Sequence, residues 1–180
     1  MSSAAPLKLV LALAIAALAI SDASAGPGDA ACSVLSQQDA VALMGAPLES
    51  NFRNETAPDA VNGHDHTTVC GWFPKGFDLK SAGAPPERGV QLTLHTFRTP
   101  AEAKMFHDMT KKGPPGSKPK AVPDVGQDAL MEEKNFSGTR VATIHFLKGV
   151  HAAQIQTWRK EKAAAIDSAT AAARQVVGKL

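Results

Sequence analysis

Val141-Ala142-Thr143-Ile144-His145-Phe146-Leu147-Lys148-Gly149-Val150-His151-Ala152-Ala153-Gln154-Ile155-Gln156-Thr157-Trp158 is the stretch on which the fold turns. Its two arms are rich in β-branched and apolar residues, and Lys148-Gly149 between them supplies a tight turn. The arms are therefore two strands, Val141 to Leu147 and His151 to Trp158, folded back on each other. Immediately after them Ala163, Ile166, Ala169, Ala173, Val176 and Leu180 recur at steps of three and four, the period of one apolar helix face. An antiparallel hairpin followed by a helix on the same chain points to an α+β fold.

Upstream, further strands can be read. Val90 to His95 alternates apolar and polar residues in period two, and Val69 to Phe73 is a β-rich run stopped by Pro74. The segment from Lys75 to Gly89, with its glycines and prolines, reads as a long exposed hairpin connection. Leu48 to Arg53 and Ala129 to Glu133 are weaker strands. Ser36 with Asp39 three residues on opens a short helix that Gly45 ends. Thr99-Pro100-Ala101-Glu102 forms a capping box with Pro at the first helical position, and the helix it starts is expected to bury Ala101, Met105 and Met109 with Phe106 beside them. The prediction is an antiparallel sheet of about five or six strands with an N-terminal, a middle and a C-terminal helix. The order of strands and helices admits a β-β-(β)-α pseudo-repeat. There is no continuous βαβ alternation and no glycine-rich phosphate loop, which excludes the doubly wound dinucleotide fold.

The first 25 residues have the three parts of a secretory signal: Lys8 in a short polar start, an apolar run from Leu9 to Ile20, and the small-residue exit Ala23-Ser24-Ala25. The run is too short to span a bilayer, which needs about 20 residues. The expectation is a cleaved signal over residues 1–25 and one exported domain over residues 26–180, periplasmic or secreted, with no stable membrane anchor after cleavage. Asp29, three residues before Cys32, argues against lipidation of that cysteine.

The chain has 180 residues and a formal net charge of +2. It shows neither a basic stripe nor a basic amphipathic helix, which removes nucleic acid and the membrane surface as expected partners. The two cysteines, Cys32 and Cys70, lie in the exported part, where a pair of thiols forms a disulfide. Closing the segment between them is worth about 4 kcal/mol in the chain-entropy model, an upper figure.

Several of these pieces occur together elsewhere. Cys32-Ser33-Val34-Leu35-Ser36 opens a helix ending Leu43-Met44-Gly45-Ala46-Pro47; Cys70-Gly71-Trp72 lies on a strand. Val122 to Ala129, Lys148-Gly149 and the Ala-rich terminal helix follow. This set resembles bacterial cell-envelope proteins of unassigned function, actinobacterial Cys-Ser-Leu-Leu/Cys-x-Trp lipoproteins, and the extracellular sensor domains of bacterial receptor kinases. The resemblance spans residues 32 to 180 and implies a disulfide and an α+β fold; it implies no activity, and the membrane attachment of the lipoproteins is not carried over.

For chemistry, His64-Asp65-His66 is the sharpest local pattern. Two imidazoles one residue apart can meet one metal ion, with His95, His107, His145 or His151 needed to complete the set; the bland alternative is a solvated loop. His95 and His145 fall on the outward phase of their strands and are expected at the surface. No Gly-x-Ser-x-Gly elbow exists, and Glu132 and Glu133 point to opposite faces of a strand, so no catalytic residue and no cofactor is assigned. Two classes of function follow: a noncatalytic envelope module binding a small ligand or a protein partner in a groove beside the sheet, or a metal-binding protein or hydrolase built on the histidines. Convergence of those histidines with a carboxylate in one cleft would favour the second.

Overall fold

The computed structural model describes residues 30–56, 66–77, 83–111 and 118–180. The signal segment 1–25 and His64 lie outside them. In chain order the elements are α1 (Ala30–Val34), α2 (Gln37–Met44), β1 (Glu49–Thr56), β2 (His66–Phe73), β3 (Gly89–Thr96), α3 (Pro100–Thr110), β4 (Lys120–Ala121), β5 (Gln127–Phe136), β6 (Thr139–Lys148), β7 (His151–Arg159) and α4 (Lys162–Lys179).

The strands form one antiparallel sheet of seven, ordered β1-β2-β3-β7-β6-β5-β4. All six anticipated strands are present, and the seventh is the two-residue β4 at the edge. The fold is α+β, as expected. The first half is a three-stranded meander, β1-β2-β3, the second a four-stranded one that ends in the short β4, and the halves join where β3 pairs with β7, Leu92 opposite Ile155. Setting the two-residue β4 aside, the β-β-β-α order recurs, yet without symmetry in space. Both α3 and α4 pack over β6 and β7, on opposite faces.

The main core lies on one face of the sheet. Cys70, Trp72, Leu92, Leu94, Ile144, Phe146 and Ile155 project from alternate positions of the central strands and meet α1, α2 and α4. The helix boundaries follow local chemistry. Ser36 and Asp39 form a reciprocal capping box at the start of α2, Gly45 ends it at φ +62°, and Thr99 with Glu102 caps α3 in the same way. Cys32 and Cys70 are bonded, their Cα atoms 5.2 Å apart. The bridge fastens α1 to β2 beside the buried Trp72. The five-residue α1 had no signal of its own in the sequence reading; it is held by that bridge and by its Ala31 N–H donating to Thr68 Oγ1 at 3.2 Å.

Two helix faces are rotated from their expected setting. In α3 the buried positions are Ala103 and His107, whereas Met105 and Met109 are 57% and 55% exposed. The ring contact of Phe106 with Phe97, centroids 5.3 Å apart, sets this rotation, and His107 tolerates burial because its Nε2 hydrogen-bonds the Asp128 carbonyl at 2.9 Å. In α4 the buried line is Ala165, Ser168, Ala169, Ala172, Ala173 and Val176. Ala163 is exposed and Ile166 half-buried at the rim. Small side chains let this helix lie close to the sheet, so closeness of approach, rather than side-chain bulk, selects the buried face. Thr157, buried beneath α4, donates its hydroxyl to the Ala165 carbonyl at 2.8 Å.

Candidate functional site

The histidines divide between the two faces of the sheet. His66 and His151 flank Thr96 across the β2-β3-β7 ladder, and the Thr96 hydroxyl lies 3.1 Å from His151 Nδ1. Burial, and then the nearby His66, push the His151 imidazole below its ordinary value. On the opposite face His95 lies 2.8 Å from Thr67 Oγ1 and against the Phe106 ring, with centroids 4.6 Å apart. His107 is buried at the base of α3, and His145 is held below its usual value first by burial, with Glu132 pulling the other way. His95 and His145 are thus on the outward phase, but α3 and neighbouring side chains leave them half-buried rather than at the surface. Among the described residues no group of three or more His, Cys, Asp or Glu side chains is placed to hold a metal ion.

Glu132 and Glu133 separate as the strand period requires. Glu133 pairs with Lys162 of α4 at 2.7 Å, while Glu132 turns to the other face, 3.9 Å from Lys134. Each carboxylate has its own cation and its own face, and nothing brings the two to one substrate atom.

A concave feature with apolar walls lies elsewhere, at the end of the sheet where β2 stops, β3 starts and β7 finishes. A cleft of about 710 Å³ opens there between the end of α2 and the β2–β3 connection. Its walls include Ala46, Pro47, Pro74, Phe77, Pro85 and Pro86. The Phe77 ring packs on Phe73 with centroids 5.4 Å apart, and Phe73 in turn meets Trp158 edge-on at 5.3 Å. This aromatic group is possible because β3 begins with glycine: a Cβ on Gly89 would lie 2.5 Å from the Phe73 ring.

Glu87 and Arg88 form the far rim, and they also border a second cleft of about 340 Å³ lined by Arg159, Lys160, Glu161 and Ala164. The two clefts meet at this pair. Glu87 accepts a hydrogen bond from Lys160, the ions 2.8 Å apart, and that contact lowers its carboxyl pKa. Arg159, on the wall of that second cleft, donates from its guanidinium to the carbonyls of Leu43 and Met44 at 2.8 and 2.9 Å and to the Ser168 hydroxyl at 3.2 Å. Burial, followed by the like charge of Arg88, depresses the Arg159 pKa. The site is thus an apolar basin that continues into a charged arm.

No family model matches the chain, and no curated protein matches its sequence. A solved structure does match in fold. The extracellular domain of PknH from Mycobacterium tuberculosis superposes with a TM-score of 0.65 at 10% identity, over 86% of this chain and 96% of that one. At that identity the likeness is one of fold. It agrees with the sequence resemblance to extracellular sensor domains, while no comparison supports the lipoprotein side of that resemblance.

None of the cleft residues was singled out as functional in the sequence. Pro74, Pro85 and Pro86 were legible only as turn punctuation, and a run of prolines in a connection carries the same signal whether it merely turns or also forms a wall. Arg88 and Arg159 lie far apart in the chain and meet only because β3 and β7 are neighbours.

Proposed function

We propose that this chain is a noncatalytic, extracytoplasmic module of the cell envelope that binds a small ligand in the proline-walled cleft. The cleft is the observation that carries the reading: its volume falls within the range of about 300–1,000 Å³ usual for small-molecule sites, and it combines an apolar wall with a few polar groups at one rim. The disulfide between Cys32 and Cys70 and the fold shared with an extracellular domain support a location outside the cytoplasm. The export signal read over residues 1–25 belongs to the same proposal. Among the described residues no helix is long and apolar enough to cross a membrane.

The test is native mass spectrometry of the protein taken from the bacterial periplasm, compared with Ala84→Trp. Ala84 is an exposed lining residue, so an indole there fills the cleft without entering the core. A bound mass on the wild type that Ala84→Trp loses, at unchanged melting temperature, is the expected result. Retention of the same mass by the filled variant would overturn the assignment of the site.

A further inference from the structure

We infer that the ligand of this cleft is an amphipathic oxyanion, with an apolar body against the proline and phenylalanine wall and a carboxylate or phosphate group held by Arg88. The inference rests on the ligand-binding reading above and narrows it to a chemical class.

The apolar end is defined by what its wall lacks. Pro47, Pro74, Pro85 and Pro86 have no N–H, and with Phe77 they present ring carbons to the basin. A ligand that is polar throughout, such as a sugar, meets few donors there and loses water from its hydroxyls without replacement. A hydrocarbon or aromatic body loses nothing by the transfer.

The charged end is defined by which cations are already committed. Lys160 is paired with Glu87, and Arg159 spends its N–H groups on Leu43, Met44 and Ser168. Arg88 has neither a hydrogen bond nor an ion pair among the described residues, and it stands at the one rim the two clefts share. Around that rim Arg88, Arg159 and Lys160 face Glu87 and Glu161, which leaves a balance of one positive charge, three against two. Arg88 is attracted by Glu87 and repelled by Arg159, so an anion seated at Arg88 offsets the repulsion from Arg159 while it approaches the Glu87 carboxylate, which Lys160 already holds. A guanidinium fork matches a carboxylate or a phosphate equally well, which is why the shared oxyanion chemistry is what the site specifies.

Four probes with the same apolar chain separate the alternatives: decanoate, decyl phosphate, 1-decanol and decyltrimethylammonium, each titrated calorimetrically below its micelle concentration at low salt. Both anions are expected to bind at least about tenfold tighter than decanol, with the cation weakest, and the ratio of decanoate to decyl phosphate assigns the head group. Arg88→Gln should erase the anion preference while leaving decanol affinity unchanged, and Arg88→Lys should restore part of it. Equal binding of decanol and the anions, or an anion preference that survives Arg88→Gln, overturns the oxyanion while leaving the ligand-binding reading standing. Failure of all four probes overturns this inference, and the reading beneath it is then judged separately by the native ligand and Ala84→Trp.

Discussion

Arg159, at the end of β7, donates a hydrogen bond to the main-chain carbonyl of Met44 at 2.9 Å, joining residues 115 positions apart. Met44 is the last residue of α2, where helix carbonyls have no partner within the helix, and the same guanidinium satisfies Leu43 at 2.8 Å. The C-terminal strand thereby caps the N-terminal helix. Arg159→Ala should cost about 1.5–3 kcal/mol, the range for hydrogen bonds from a charged donor to a part-buried acceptor. Urea titration measures it, and hydrogen exchange at Gly45, whose N–H bonds the Val41 carbonyl, should rise with it. A variant as stable as the wild type would show that water replaces the guanidinium at no cost.

The disulfide is expected to matter more than any single hydrogen bond. Reduction, or Cys70→Ser, should lower stability by about 2–5 kcal/mol, because the bridge limits the unfolded chain and ties α1 to the core. The measurement is the urea midpoint with and without reductant. The closing helix α4, which packs on β6 and β7, should keep its far-ultraviolet signature in the reduced protein up to the global transition.

Acid should weaken a specific contact between the two ends of the chain. Burial raises the Asp39 carboxyl, but the hydrogen bonds from Lys179 and Ser36 outweigh it and hold the pKa at about 2 against 3.8. A depressed carboxylate contributes its full stabilisation above the ordinary value and loses it as the pH falls from about 4 toward 2. Asp39→Asn should cost about 1 kcal/mol at neutral pH, as loss of a capping contact does, and the difference from wild type should vanish below pH 2. Stability curves of the two proteins that stay parallel down to pH 2 would contradict this.

Two glycines give a contrast that separates backbone strain from collision. Gly126 combines φ +50° with a site where a Cβ would sit 2.6 Å from the Leu147 carbonyl, whereas Gly138 has φ +86° in open space. Gly138→Ala should therefore cost about 1 kcal/mol, the left-handed penalty alone. Gly126→Ala adds a clash with the main chain of β6 and should exceed about 2 kcal/mol. Equal melting temperatures would mean that the 126 turn moves aside freely.

Much of this architecture could be read locally. Ser36, Asp39 and Gly45 set the bounds of α2, and Thr99, Pro100 and Glu102 set the start of α3, because a cap is a contact among neighbours in the chain. The hairpin of β6 and β7 was equally visible in its β-branched and apolar arms around Lys148-Gly149. What escaped were quantities fixed between elements. The rotation of α3 depends on Phe97 meeting Phe106, and His107 was an unattractive core residue until Asp128 offered its carbonyl. The candidate site escaped for the same reason: its wall comes from three connections and its two arginines from different halves of the chain.

The seam between β3 and β7 carries a consequence for the order of folding. Within each meander neighbouring strands are joined by one connection, so their pairing closes modest loops; the seam brings Leu92 to Ile155 across α3 and three further strands. Its entropy is recovered only after both meanders exist, which makes it the slow step of a high-contact-order topology. On the export route proposed above, a chain that emerges N-terminus first would present both cysteines before β7 is available, and oxidation is then expected to precede the seam. Pulse-labelled refolding should then protect the amides of β2 and of β6 ahead of those that cross from Leu92 to Ile155. Until that crossing forms, the edges of β3 and β7 remain two open strands, the point at which this chain is most exposed to pairing with another copy of itself.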